Sequence, residues 1–425
     1  MYHKQWKRSS ICRHFFPHKT FQVFPMDFFI LFRYNKNMGT VFYLAKIGEI
    51  NLKKGNLKDF ELRLSQNLRT YLTGASSKIR IRAGRMYIEV PEELRKRTEN
   101  ALTMLIGITG WAQAVSTEKK IDAIVQAART EAVKAREAGC KTFKIESRRG
   151  EKTFPMKSYE ISREVGGVIH SEGILSVDVH NPDIVISVEI REKAFIYGVE
   201  HKGRRGLPCG CSGRGLLLLS GGIDSPVAGF KMLSRGMKLD YIYFHSHPYT
   251  SKEAQQKVET LSSILAGYGL GGYLNIIPFT KVQQCIKEKT PEPYLTLMMR
   301  ICMIKIANMT AESINAKCLV TGESLAQVAS QTIENITVTD SFAMYPVFRP
   351  LIGTDKEDIT NAAKQIGTYE TSILPYEDCC VMFSPKHPVL HSKLADAKEI
   401  FSRLEIEKLL QEAYSAREIK KFDCI

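Results

Sequence analysis

The sequence predicts an α/β protein: a doubly wound parallel sheet in its second half, preceded by smaller α+β units. Three observations carry this. From residue 216 onward, short apolar runs (216–219, 239–245, 273–278, 318–321) alternate with helical patterns (226–235, 251–267, 281–289, 294–314). That order belongs to a parallel sheet with crossover helices. The first run, Leu216 to Leu219, passes directly into Ser220-Gly221-Gly222-Ile223-Asp224-Ser225-Pro226, a glycine turn between a buried strand and a helix. Before residue 200 the pattern changes to strand, helix and hairpin.

Taken in order, "VFYLAKIGEI" (41–50) reads as a strand. Residues 57–72 carry Leu57, Phe60, Leu64 and Leu68 at helical spacing. "KIRIRAGRMYIEV" (78–90) alternates like a hairpin with its tip at "AGR". A second unit occupies 93–200. Its parts are a helix over 120–139 ended by Gly139, a strand with the basic end Arg148-Arg149, a helix near 158–172, and two strands around Asn181-Pro182. Arg148, Arg149, Lys152 and Lys157 cluster there; alone, such a cluster reads as a solvated loop. Residues 201–215, rich in glycine and basic, read as a linker, and 396–425 as a helical tail.

Bulk properties narrow the function classes. A chain of 425 residues implies two or three domains. No apolar run reaches the ~18 residues of a membrane span, so no membrane segment is expected. A net charge of +15 permits an anionic partner, nucleic acid being the usual one. Ten irregularly spaced cysteines do not form a secreted disulfide framework. Residues 1–37 hold seven Lys/Arg and one acidic residue and differ in character from the chain after Met38. They are expected to be an extension outside the functional chain.

The glycine turn carries chemistry. Ligands of open parallel sheets lie beyond the carboxyl ends of the strands. Gly221 and Gly222 are expected to let the backbone approach an anion with positive φ. Ser220 and Ser225 offer hydroxyls, and the following helix directs its first N–H groups at the anion. Asp224 is repulsive to phosphate unless a cation intervenes, which implies Mg²⁺ between Asp224 and a pyrophosphate. A P-loop lysine is missing from the turn, which argues against γ-phosphoryl transfer. Adenylation with pyrophosphate as leaving group fits better.

"SGGIDSP" after an apolar strand resembles the PP-loop of the ATP-pyrophosphatases. "YLAKIGEINLKKGN", "KTFKIESRRGEKTFP", "VDVHNPDIVISVEIRE", "HSHPYTSKEAQQKV", "TGESLAQVASQT", "RPLIGTDKEDI" and "PYEDCCVMFSPKHP" together resemble the tRNA 4-thiouridine synthetase (tRNA sulfurtransferase) family, in a form without a rhodanese domain. The likeness runs from about residue 40 to 390. It implies a ferredoxin-like domain (38–92), an RNA-binding THUMP domain (93–200) and a PP-loop catalytic domain (216–395). It further implies ATP and Mg²⁺ as cofactors, tRNA as substrate, uridine 8 as the target base, and a cytoplasmic setting.

Carried over by motif, the nucleotide would meet Leu218, Leu219, Tyr243, Phe244, Arg300, Gly322 and Gln331. The rings of Tyr243 and Phe244 are expected near adenine, and the lone charge of Arg300 in an apolar helix needs a phosphate or carboxylate. Cys379 matches the cysteine that carries sulfur, with Cys380 second. A cysteine desulfurase would supply the sulfur, and a small sulfur carrier protein for thiamine thiazole synthesis is a further acceptor in the family. Arg148, Arg149, Lys152 and Lys157 would then contact tRNA phosphates. Cys209 and Cys211 depart from the family pattern. They admit three readings: a resolving thiol pair, ligands of an iron–sulfur cluster with Cys379 and Cys380, or incidental residues of the linker. Two rival functions stay open: another PP-loop tRNA thiolase, or a non-catalytic tRNA-binding protein.

Overall fold

The computed structural model describes residues 39–53, 55–73, 75–376 and 385–424. The leader 1–37 and Cys379 with Cys380 therefore lie outside the described residues.

The first unit runs β1 (Thr40–Ile47), α1 (Leu57–Tyr71), β2 (Lys78–Arg82), β3 (Arg85–Pro91), α2 (Arg95–Met104) and β4 (Ile108–Gln113). Phe60, Leu64, Leu68 and Tyr71 form the buried stripe of α1, one face at helical period. β1 is central in its sheet and is buried on both faces at Tyr43, Leu44 and Ala45. Because β4 pairs antiparallel with β1, this unit extends to residue 113 rather than ending at 92. Side-chain period alone does not reveal such long-range pairing.

The second unit comprises β5 (Val115–Thr117), α3 (Ile121–Glu137), β6 (Thr142–Arg149), α4 (Ser158–Ser171), β7 (Ser176–Val177), β8 (Ile184–Ile190) and β9 (Ala194–Tyr197). Its sheet order is β5-β9-β8-β6-β7. The two units share a junction. Phe195 stacks on Phe42 and tilts against Tyr87, with ring centroids 5.2 and 5.1 Å apart. Beside the rings, the buried Glu189 accepts from Arg85 at 2.9 Å, from Arg191 at 2.8 Å and from the Tyr197 hydroxyl at 3.0 Å.

The expected linker is an ordered connection. β10 (His201–Lys202) returns to pair with β4, and Leu207 and Cys209 are buried. Tyr71 donates to the Gly267 carbonyl at 2.7 Å and Asn67 to the Cys209 carbonyl at 3.1 Å. These bonds seat α1 on the third unit.

That unit contains β11 (Arg214–Leu218), α5 (Asp224–Ser234), β12 (Lys238–His245), α6 (Lys252–Gly269), β13 (Gly272–Pro278), α7 (Thr280–Lys289), α8 (Leu295–Ser313), β14 (Leu319–Val320), α9 (Ile333–Asp340), β15 (Val347–Phe348), α10 (Lys356–Ile366), α11 (Tyr369–Ser372), α12 (Leu394–Leu404), α13 (Glu407–Ser415) and β16 (Glu418–Phe422). The sheet order is β15-β14-β11-β12-β13-β16, parallel except for β16. The four leucines divide between its faces. Leu217 and Leu219 pack with residues of α5, α6 and α10, and Leu216 and Leu218 with those of α8. A strand covered on both faces reads as an unbroken apolar run. The tail is not purely helical: β16, "EIKKF", closes one edge antiparallel. Its lysines are typical of an edge strand, which reads as a polar tail in isolation. Among the described residues no helix is long and apolar enough to cross a membrane.

Candidate active site

The glycine turn lies at the carboxyl end of β11, the strand between β14 and β12. Ser225 Oγ receives the Ser220 amide at 3.0 Å and lies 3.1 Å from Ser220 Oγ, which receives the Gly222 amide at 3.2 Å. The two hydroxyls thus curl the turn onto the start of α5. Neither Gly221 nor Gly222 has positive φ, which corrects that expectation. The need is for space: a Cβ on Gly222 would meet only Ser220 Oγ, at 3.4 Å, and otherwise stand in the open volume over the turn. An anion would occupy that volume. Gly322, just past β14, is tighter still. A Cβ there would fall 2.6 Å from the Ser225 amide nitrogen, so glycine alone lets the strand end meet the helix start.

Asp224 opens α5. Its Oδ1 pairs with Lys356 Nζ at 2.5 Å and its Oδ2 accepts from Gln327 Nε2 at 2.9 Å. Sequence reasoning missed both partners as site residues. Lys356 supplies beside the turn the cation that the turn itself lacks. The available signal was its place in "RPLIGTDKEDI", a family-like segment that holds a lysine. One carboxylate beside an open anion site fits a Mg²⁺ held mostly by phosphate oxygens. No group of three or more metal-ligating side chains occurs among the described residues.

Arg300 finds a carboxylate. It pairs with Glu323, which is 4% exposed, and donates to Ser330 Oγ at 3.2 Å. Glu323 Oε2 also accepts from Arg349 at 2.6 Å and from Thr321 Oγ1 at 2.8 Å. Arg349 reaches on to Asp340 at 2.5 and 3.0 Å. Glu323 thus holds two guanidiniums behind the turn. Gln331 Oε1 is a buried oxygen without a hydrogen-bond partner among the described residues.

Tyr243 and Phe244 differ from expectation. Their rings are 2% and 5% exposed and lie in the two opposite cores, Phe244 edge-on to Phe279 at 5.0 Å. Alternation along β12 sends them to opposite faces, so neither ring covers a base. The main chain is what faces the turn. The Ile242 carbonyl points to β11, where it accepts from the Leu219 amide, and the His245 carbonyl points to β13, where it accepts from Phe279. The Phe244 backbone therefore points to the β11 side, past the last paired position Leu218–Ile242. His245 at the same strand end bonds Thr250 Oγ1 through Nδ1 at 3.1 Å. Burial and the nearby His247 hold its imidazole below the usual histidine value.

Cys209 is a core thiol. It donates to the Met237 and Gly269 carbonyls at 3.1 and 3.3 Å, and burial pushes its pKa up to about 12. A thiol that is 1% exposed and held protonated is not a resolving nucleophile, which corrects that reading for this residue. In the second unit Arg148, Lys152 and Lys157 are exposed. Arg149 is half-buried and donates to the Phe154 and Met156 carbonyls at 2.9 and 3.2 Å. It braces the loop that displays the two lysines.

Fold and turn together define a PP-loop nucleotide enzyme behind an RNA-binding module. Family models match in the same order: the ThiI ferredoxin-like domain over residues 42–112, the THUMP domain over 116–199, and the thiamine biosynthesis protein ThiI over 210–406. The chain is 53% identical over 382 residues to a probable tRNA sulfurtransferase of Treponema pallidum strain Nichols, covering 89% of this chain and 95% of that one. It is 44% identical to the one of Caldanaerobacter subterraneus subsp. tengcongensis, covering 86% and 96%. A solved 4-thiouridine synthetase in complex with RNA and bound ATP superposes with a TM-score of 0.82 at 35% identity, over 91% of this chain and all of that one. The chain belongs to the tRNA sulfurtransferase family.

Proposed function

We infer that the protein is an ATP-dependent tRNA sulfurtransferase that converts uridine 8 to 4-thiouridine. The observation that carries this is Asp224, set between Lys356 and Gln327 at the mouth of a serine-lined glycine turn. Such a site grips the β- and γ-phosphates as a leaving group. The α-phosphorus then stays open to attack by uridine O4, and pyrophosphate departs as N3 loses its proton. Arg300, steadied by Glu323, faces the charge that develops on the phosphates. The Phe244 main chain offers hydrogen bonds to an adenine edge. Mg²⁺ held by Asp224 and the phosphates would lower their mutual repulsion.

Adenylation turns a poor leaving oxygen into AMP. The outer sulfur of a persulfide on Cys379 attacks C4, and AMP departs with the former O4. A second thiol then takes the inner sulfur into a disulfide and releases the thiocarbonyl. A cysteine desulfurase loads Cys379 in this reading. Transfer to a small sulfur carrier rests on the thiamine biosynthesis name of the family model alone. The exposed Arg148, Lys152 and Lys157 hold tRNA phosphates, and Arg149 keeps their loop in place.

The test is incubation with unmodified tRNA, ATP, Mg²⁺, cysteine and a cysteine desulfurase, then nucleoside mass spectrometry. 4-Thiouridine from the wild type and none from Cys379→Ala is expected. A 2-thiouridine product, or tRNA binding without any thionucleoside, would overturn the reading.

A further inference from the structure

We propose that a cavity beside the phosphate turn receives the target uracil, drawn out of the tRNA, and that Asn335 Oδ1 reads its N3–H. This rests on the inferred adenylation and thiolation of uridine and adds the site of the acceptor base.

The cavity measures about 270 Å³. That lies just under the ~300–1,000 Å³ typical of sites for drug-sized ligands, and it matches one base with part of its sugar. Most of its lining is apolar, with Pro293, Leu297, Val328, Pro388 and Val389 among it. An apolar slot of this kind accepts a ring taken from its stack.

Its position suits the chemistry. Gln327 bonds the Asp224 carboxylate, and the next residue, Val328, lines the cavity. Ser330 lines it too and accepts from Arg300. One short segment therefore touches both the phosphate site and the slot.

Asn335 supplies the selectivity. It lines the cavity and is 2% exposed. Its Nδ2 donates to the Ala329 and Val389 carbonyls at 2.9 and 2.8 Å. Those two bonds fix which end of the amide is nitrogen. Oδ1 is left buried without a hydrogen-bond partner among the described residues. A buried acceptor with no donor is costly, and an entering N–H relieves it. Uracil presents N3–H, whereas cytosine presents a lone pair at N3 and is repelled. N3 is bonded to C4, so the contact also sets the reacting carbon. It is a recognition contact of the incoming base, given up when N3 loses its proton on adenylation.

Val328→Trp tests the slot. Val328 is 51% exposed, so the larger side chain fills the cavity without entering the core. Single-turnover thiolation should fall on the order of 10²-fold, as for a displaced reactant. Affinity for tRNA should hold, because phosphate contacts dominate it. A ¹⁹F label, 5-fluorouridine placed only at the target position, reads the base directly. Its resonance should move on binding to wild type with ATP and stay at the tRNA-alone position with Val328→Trp. 5-Fluorocytidine at that position should not move with either protein.

Wild-type thiolation rates in Val328→Trp, or an unmoved uridine resonance in wild type, would overturn the pocket. An equal shift for cytidine would overturn the role of Asn335. If wild type moves the resonance but makes no 4-thiouridine, the pocket stands and the inferred reaction falls.

Discussion

Two buried carboxylates make an instructive pair. Glu189 and Glu323 are 1% and 4% exposed, and each lies between two arginines. Around Glu189 the partners are Arg85, Arg191 and the Tyr197 hydroxyl, packed beside the aromatic junction of the first two units. That set joins two sheets, β3 of the first unit and β8 of the second. Around Glu323, Arg349 and Thr321 fill one side, while Arg300 stands on the other and donates to Ser330, three residues from the Gln327 that bonds Asp224. The same chemical unit is a rivet in one place and, in the proposed function, a mount for a working cation in the other. What adjoins it decides the role.

The largest effect should come from breaking the rivet. Glu189→Ala leaves the half-buried Arg85 and Arg191 near each other with no carboxylate between them, and removing one member of such a group costs up to about 3–5 kcal/mol. Urea unfolding read through Trp111 fluorescence should show this, with thiolation retained at low temperature. The mount should behave oppositely. Arg300→Ala should lower kcat by about 10²–10³, the scale of a lost charge-stabilising donor. Its melting temperature should stay near wild type, because Glu323 keeps Arg349.

Acid sharpens the contrast. Burial alone would raise the Glu189 pKa, but Arg85 and Arg191 hold it below the ordinary glutamate value. Its contribution to stability is therefore complete above that value, ~4.3, and is lost as pH falls through the lower folded value. The difference in melting temperature between wild type and Glu189→Gln should narrow in that window and stay constant above it. The smallest effect belongs to the exposed cations. Lys152→Ala and Lys157→Ala should each weaken tRNA binding and reduce the slope of log K against log salt by about 1, with no change in thiolation rate at a saturating tRNA concentration.

Contiguity explains what the sequence disclosed. Ser220 to Pro226 is a local motif, and the strands and helices of the third unit obey local periodicity. Lys356 and Gln327 are separated from Asp224 by 132 and 103 residues, and Glu189 from Arg85 by 104. No spacing rule joins such pairs. The rings of Tyr243 and Phe244 were legible as strand residues, yet residue type at a strand end does not say that helices cover both faces. Cys209 shows the same limit, because a cysteine in a glycine-rich stretch looks exposed until Met237 and Gly269 close around it. Extent was hard for another reason. β4 and β16 are defined by their partners β1 and β13, and their own residues carry weak strand signals.

The central claim is that Asp224, Lys356 and the turn direct uridine O4 at the α-phosphorus of ATP. The most direct measurement uses tRNA whose target uridine carries ¹⁸O at C4, with mass spectrometry of the released nucleotide. The account predicts AMP carrying the label, with 4-thiouridine formed in equal amount. ADP with labelled inorganic phosphate would contradict it, placing the attack at the γ-phosphorus.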